Sequence, residues 1–119
     1  MSFFNIKSGL ADFFRPYQAV ILPTVSTITR LSFNKPGAFQ VWAEYEIYIS
    51  AKRLQRDNVD VQLGNIEREV MKEICQYKPE DIEGILEMHY IGMERVYPTE
   101  NPLKSNWASR TFIRVRYIH

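Results

Sequence analysis

The sequence predicts an α+β domain: a mostly antiparallel, four-stranded sheet made of two hairpins, one amphipathic helix across a face, and an aromatic N-terminal arm. Three observations predict it. Residues 39–51 and 109–118 alternate apolar and polar side chains with the two-residue period of a strand. Val59, Leu63, Ile66, Val70, Ile74 and Tyr77 recur at steps of three or four, the apolar stripe of a helix. Proline-bearing segments at 35–38 and 98–105 fall where the two hairpins need their connections.

Residues 1–24 form the expected arm. Phe3, Phe4, Phe13, Phe14 and Tyr17 make it aromatic, and a short helix over residues 8–14, with Ser8 as its cap, fits the pattern. Pro16 and Pro23 then interrupt the chain, leaving residues 17–22 extended or loosely turned. The α+β core is expected over residues 25–119. Its first strand is read at 25–33, rich in Thr, Val, Ile and Phe. Lys35-Pro36-Gly37-Ala38 fits a type II turn, since Pro presets the first central position and Gly accepts positive φ at the second. The strand at 39–51 puts Val41, Ala43, Tyr45, Ile47 and Ile49 on one face, and Trp42, Glu44, Glu46 and Tyr48 on the other.

Asp57, Asn58 and Asp60 are candidate caps for the helix that follows, which Pro79 ends. Glu67, Arg68, Lys72, Glu73 and Gln76 fall outside its stripe and are expected to face water. A further strand is read at 85–97, where the phase of apolar residues changes across Gly92, the mark of a bulge or bend. The closing strand turns Ser109, Thr111, Ile113, Val115 and Tyr117 to the core. Arg110, Arg114 and Arg116 lie on its other face with Phe112 and Ile118. A chain ending in its best strand is expected to place the end of its sheet there.

At 119 residues the chain is sized for a single domain, and its 45% hydrophobic and 24% charged content suits a globular one. The 13% aromatic content favours a protein that assembles with others. A net charge of +1 without runs of like charge argues against tight, nonspecific nucleic-acid binding. Cys75 is the only cysteine, which excludes an internal disulfide and a thiolate metal cluster; inside a helix it is expected to be buried or half-buried. No apolar run reaches the length of a membrane span, and the N-terminus lacks the pattern of a signal peptide, so a reducing cytoplasm is expected.

No catalytic constellation emerges. His89 lies mid-strand and His119 is terminal, neither at a metal-ligand spacing, so His89 reads as a sheet-surface histidine. Glu44 and Glu46 share a strand face, as paired catalytic acids can. Arg114 and Arg116 have the same spacing, so the two pairs are better read as facing each other across a ladder or a subunit boundary. Phosphate-binding glycine loops and nucleophile elbows are not present. Trp42, Tyr45, Tyr48 and Phe112 beside arginines suggest base stacking, a reading that the near-neutral charge opposes.

The element order, carried by residues 39–51, the helix at 59–77, Val96-Tyr97-Pro98, and Asn106-Trp107 leading into 111–117, resembles the tail terminator and tail-completion (head–tail joining) proteins of long-tailed phages and related tailed viruses. The resemblance covers residues 25–119. It implies a structural virion protein, without cofactor or enzymatic activity, that forms a homohexameric ring at the head-proximal end of the tail tube. Such a ring ends tube growth, joins tail to head connector, and lets DNA pass through its lumen unbound. The expected partners are its own copies, the tail tube protein and the connector protein, with assembly in the host cytoplasm. A closed ring needs unlike patches to meet, and a Glu face and an Arg face on separate strands would serve. The expected interface residues are therefore Arg110, Arg114, Arg116, Glu44 and Glu46, together with Phe3, Phe4, Phe13 and Phe14, which dock either on the chain's own sheet or on a neighbour. The alternative is a small ligand-binding or enzymatic α+β domain with a site between helix and sheet, using Glu44, Glu46, His89 and Tyr90.

Overall fold

A computed structural model describes residues 3–30, 39–50, 59–96 and 108–118. The turn expected at 35–38, the caps Asp57 and Asn58, the loop at 98–105, Tyr97, Trp107 and His119 lie outside these residues, as do the side chains of Phe3, Phe4, Val59 and Asp60.

The first element is longer than the sequence suggested. Helix α1 spans Phe3–Phe13 and continues into a 3-10 turn over Arg15–Tyr17. Ile6, Leu10 and Phe14 recur every four residues and are fully buried in the core, so this segment belongs to the body of the domain. Pro16 occupies the start of the 3-10 turn, where its missing N–H costs nothing. Gln18 then adopts the left-handed conformation (φ 53°, ψ 43°) and donates its N–H to the Arg15 carbonyl at 2.9 Å, which turns the chain into the sheet. Gly9 is required by packing. A Cβ there would lie 2.8 Å from Ile82 Cγ2, so only glycine lets α1 come this close to the segment before the third strand.

Strand β1 spans Val20–Arg30, starting five residues before the position expected from Pro23. The sheet order β1-β2-β4-β3, with β2 at Phe39–Ser50, β3 at Ile85–Val96 and β4 at Ala108–Ile118, explains how Pro23 is accommodated. β1 is an edge strand, the place where a proline inside a strand is tolerated. Its register with β2 (Phe39–Ser50) shifts between Pro23 and Val25, where Thr24 Oγ1 donates to the Glu44 carbonyl at 3.2 Å.

Helix α2 covers Val59–Cys75. Leu63, Val70 and Ile74 are buried, with Ile66 and Tyr77 packed at the margin of the core. Two expectations fail here. Cys75 is exposed, because it falls one residue past Ile74, on the far side of the stripe. Glu67 does not simply face water; its side chain is 16% exposed and reaches the sheet. Beyond α2, the Asp81 carboxylate accepts the Lys78 N–H at 2.9 Å, and Gly84 takes a φ of 94°. That left-handed glycine swings the chain into β3 (Ile85–Val96). The Tyr77 hydroxyl donates toward the Ile85 carbonyl at 2.6 Å and the Ile82 carbonyl at 3.2 Å, fastening the end of α2 to the start of β3. Burial pushes the Tyr77 pKa up to about 12.

The four strands form one antiparallel sheet. β4 (Ala108–Ile118) lies between β2 and β3, so the last strand in sequence is central and not the sheet's margin. Its odd positions from Ser109 to Tyr117 are all buried, as the alternation predicts. The register of β3 on β4 shifts at Tyr90/Gly92, the bulge expected there, and again at Ile85/Glu87. α1 packs on β1, and α2 on β3 and β4, over the face that carries Val41, Tyr45, Ile47, Met88, Ile113 and Val115. The result is two layers, with both helices on one side of the sheet. Among the described residues no helix is long and apolar enough to cross a membrane.

Candidate functional site

The face of the sheet turned away from the helices gathers most of the polar residues that the sequence singled out. Antiparallel pairing sets Glu44 opposite Arg114, Trp42 opposite Arg116, Glu46 opposite Phe112, and Tyr48 opposite Arg110. On the other side of β4, Glu87 stands opposite Arg116, His89 opposite Arg114, and Glu94 opposite Arg110. Each arginine of β4 thus has a glutamate directly across a ladder, from β2 or from β3. The Glu face and the Arg face expected on separate strands meet across the β2–β4 ladder, the first of the two arrangements expected, and form one surface of the chain.

Two clusters form on it. In the first, Arg116 Nε donates to Glu87 Oε2 at 3.0 Å, and that bond holds the Glu87 carboxyl below its ordinary pKa. The Arg114 guanidinium lies 4.5 Å from the centre of the Trp42 ring, and His89 stacks obliquely on the same indole at 5.8 Å. In the second, Arg110 pairs with Glu94, donates to the Tyr48 hydroxyl at 3.1 Å, and sits between the Tyr48 and Phe112 rings. The Tyr48 hydroxyl in turn donates to Glu46 Oε2 at 3.0 Å. Cations over aromatic faces, with carboxylates beside them, make a fixed and patterned surface. Arg114 is the most available charge: it is exposed and makes no ion pair among the described residues.

Glu87 and Glu94 escaped the sequence reading because the Gly92 bulge inverts parity between them. Residues 87 and 89 share parity, but only the extra residue at Ile91 brings Glu94 to the same face. Phe14 is in the core, and Phe13 is partly buried, edge-on to Phe14 at 4.9 Å and to Tyr77 at 6.0 Å. The backbone of Phe3 and Phe4 opens α1. Glu44, Glu46 and His89 lie on the far side of the sheet from the helices, and Tyr90 packs against the core. The polar groups suggested for a site between helix and sheet are therefore not brought together.

That layer holds a different polar group, missed in the sequence. Glu67 of α2 accepts from Ser109 Oγ at 2.8 Å and pairs with Arg95 of β3 at 3.2 Å. Nearby, the Thr111 hydroxyl is buried and without a partner among the described residues. Shallow grooves flank the helices among the described residues. One of about 550 Å³ lies between α1 and the segment before β3, with Asp12, Asp81 and Glu83 on its walls. Another, about 460 Å³, lies between the 3-10 turn and α2, beside Tyr17, Gln18, Gln62 and Asn65.

Fold and surface together define a small α+β domain with one helix-covered sheet face and one patterned face that no described helix covers. The chain matches no family model, and no curated protein matches it.

Proposed function

We propose that the chain is a structural virion subunit of the tail terminator or head–tail joining type, which assembles into a ring at the head-proximal end of a phage tail tube. The observation that supports this reading is the sheet itself. Among the described residues it leaves two unlike edges, β1 and β3, and one aromatic, charged face that no helix covers. Unlike edges suit the head-to-tail contacts from which closed rings are built. The element order adds the resemblance described above. The subunit works through surfaces, with the tube protein on one side and the connector on the other, around a lumen that passes DNA.

Negative-stain imaging of the purified protein, alone and mixed with tail tubes, tests the proposal. Rings of about six subunits capping one end of the tubes are expected, as a closed heterologous assembly requires. Tubes that stay uncapped, with the protein remaining dispersed beside them, would reject it.

A further inference from the structure

The open sheet face is self-complementary, and we infer that it docks on the same face of a second copy of this chain about a two-fold axis. The inference does not depend on ring formation; it concerns a different surface from the sheet edges.

The geometry follows from the register. Consider a two-fold axis parallel to the strands, midway between β2 and β4, in the plane between two facing sheets. Rotation lays β4 of one copy over β2 of the other at the same height. Arg114 then meets Glu44 of the second copy, and Arg116 meets Trp42, because these are already side-by-side partners within each chain. Phe112 meets Glu46, whereas Tyr48, 4% exposed, is buried within its own chain and adds no contact. Every contact occurs twice. No arginine meets an arginine, and no glutamate meets a glutamate, along these central strands. Facing sheets pack with their strands within about 30° of parallel, so the match is best near the middle of the ladder, where Glu44 and Arg114 sit.

Charge and area agree with this occupant. The face holds Arg110, Arg114 and Arg116 against Glu44, Glu46, Glu87 and Glu94, three positive and four negative charges, so two copies do not repel strongly. Strands of eleven or twelve residues, at about 3.3 Å per residue and about 4.8 Å between strands, give a face of about 36 × 19 Å, or roughly 700 Å² per copy. A stable interface buries about 800 Å² per partner, so the face approaches the size required. Ile118 and Ile91, 44% and 52% exposed, lie on the two outer tracts of β4 and β3 and add apolar area.

Light scattering on Arg114→Glu, Glu44→Arg and their equimolar mixture, beside the wild type, tests the inference. The wild type should run as species containing an even number of 14.1 kDa chains. Each single variant puts like charges together at two symmetry-related places, at about tenfold each, so the dissociation constant should rise roughly 100-fold. Mixing the two should restore association to within about tenfold of wild type, because each altered residue then meets its opposite in the other chain. A wild-type monomer at about 100 μM, variants that associate unchanged, or a mixture no better than its components would each overturn the inference. Thermal melts establish that the variants are folded. If one is not, Ile118→Lys carries the test from outside the charge cluster, and association unaffected by it would again overturn the docking. A ring of six whose mass ignores all three variants would favour the assembly proposed above and refute this face. A variant-sensitive dimer that never caps tubes would do the reverse.

Discussion

Glu67→Ala should destabilise the fold by about 2–3 kcal/mol, a large loss for one helix-surface residue. The magnitude comes from two contacts. The bond from Ser109 Oγ at 2.8 Å ends on a charged acceptor, and bonds of that kind contribute about 1.5–3 kcal/mol. Its donor is only 1% exposed, so water cannot replace the lost carboxylate. The pair with Arg95 adds less, about 0.2–1 kcal/mol, because the Arg95 side chain is 38% exposed. The two are not fully additive, since one carboxylate makes both. Urea denaturation followed by far-ultraviolet circular dichroism reads the result as a lower midpoint at unchanged slope, and the melting temperature should fall by about 10 °C. Glu67→Gln keeps an acceptor for Ser109 and should lose about half as much. A cycle with Ser109→Ala should show a coupling of about 1–2 kcal/mol. A Glu67→Ala loss below about 0.5 kcal/mol, or zero coupling to Ser109, would refute the reading of this group as a clamp between α2 and the sheet.

Phe14→Ala should cost about 3–5 kcal/mol in the same denaturation assay, because the ring is fully buried against α1 and the sheet; a near-neutral change would place the segment outside the core. Gly9→Ala should lower stability by about 1–3 kcal/mol despite its better helix propensity, since the added Cβ would meet the stiff, buried Ile82 side chain at 2.8 Å. Alkaline denaturation should be marked. Burial raises Tyr17 and Tyr77 from 10.0 to about 12 and lifts Tyr45 and Tyr117 as well. A raised acid pKa means the fold favours the protonated form, so this stability is complete below pH 10 and drains away between 10 and about 12. Tyr77→Phe should shallow that decline, measured as the pH dependence of the urea midpoint, while costing about 1 kcal/mol at pH 7 for the lost hydroxyl bonds.

Side-chain periodicity reveals which face a residue takes, and here it did so well. The alternation in β2 and β4 assigns inner and outer residues correctly, and the stripe of α2 names its buried positions. Periodicity says nothing about which strands are neighbours. Nothing in residues 109–118 distinguishes a central strand from an edge, so the place of β4 became visible only in the pairing. The same gap hid the site. Three arginines on one face were legible, but their partners Glu87 and Glu94 depend on β3 lying beside β4 and on a bulge that resets parity. Pro23 misled for a related reason: proline interrupts a strand bonded on both sides, and the sequence does not show that β1 is bonded on only one. Glu67 was misread because its position on α2 is marginal, and a marginal carboxylate turns inward only where the sheet offers Ser109 and Arg95.

The central position of β4 also sets an order of events in folding. β2 and β3 share no ladder with each other, so the sheet stays in two pieces until β4 enters between them. The β2–β4 ladder joins residue 40 to 118 and residue 50 to 108, long loops to close, and closure of this kind slows folding. Until it happens, β2 and β3 each hold open a row of N–H and C=O groups shaped for one particular segment. In a cell making many copies at once, that segment is also present on every neighbouring chain, so exchange of β4 between copies is the misassembly to which this topology is most prone.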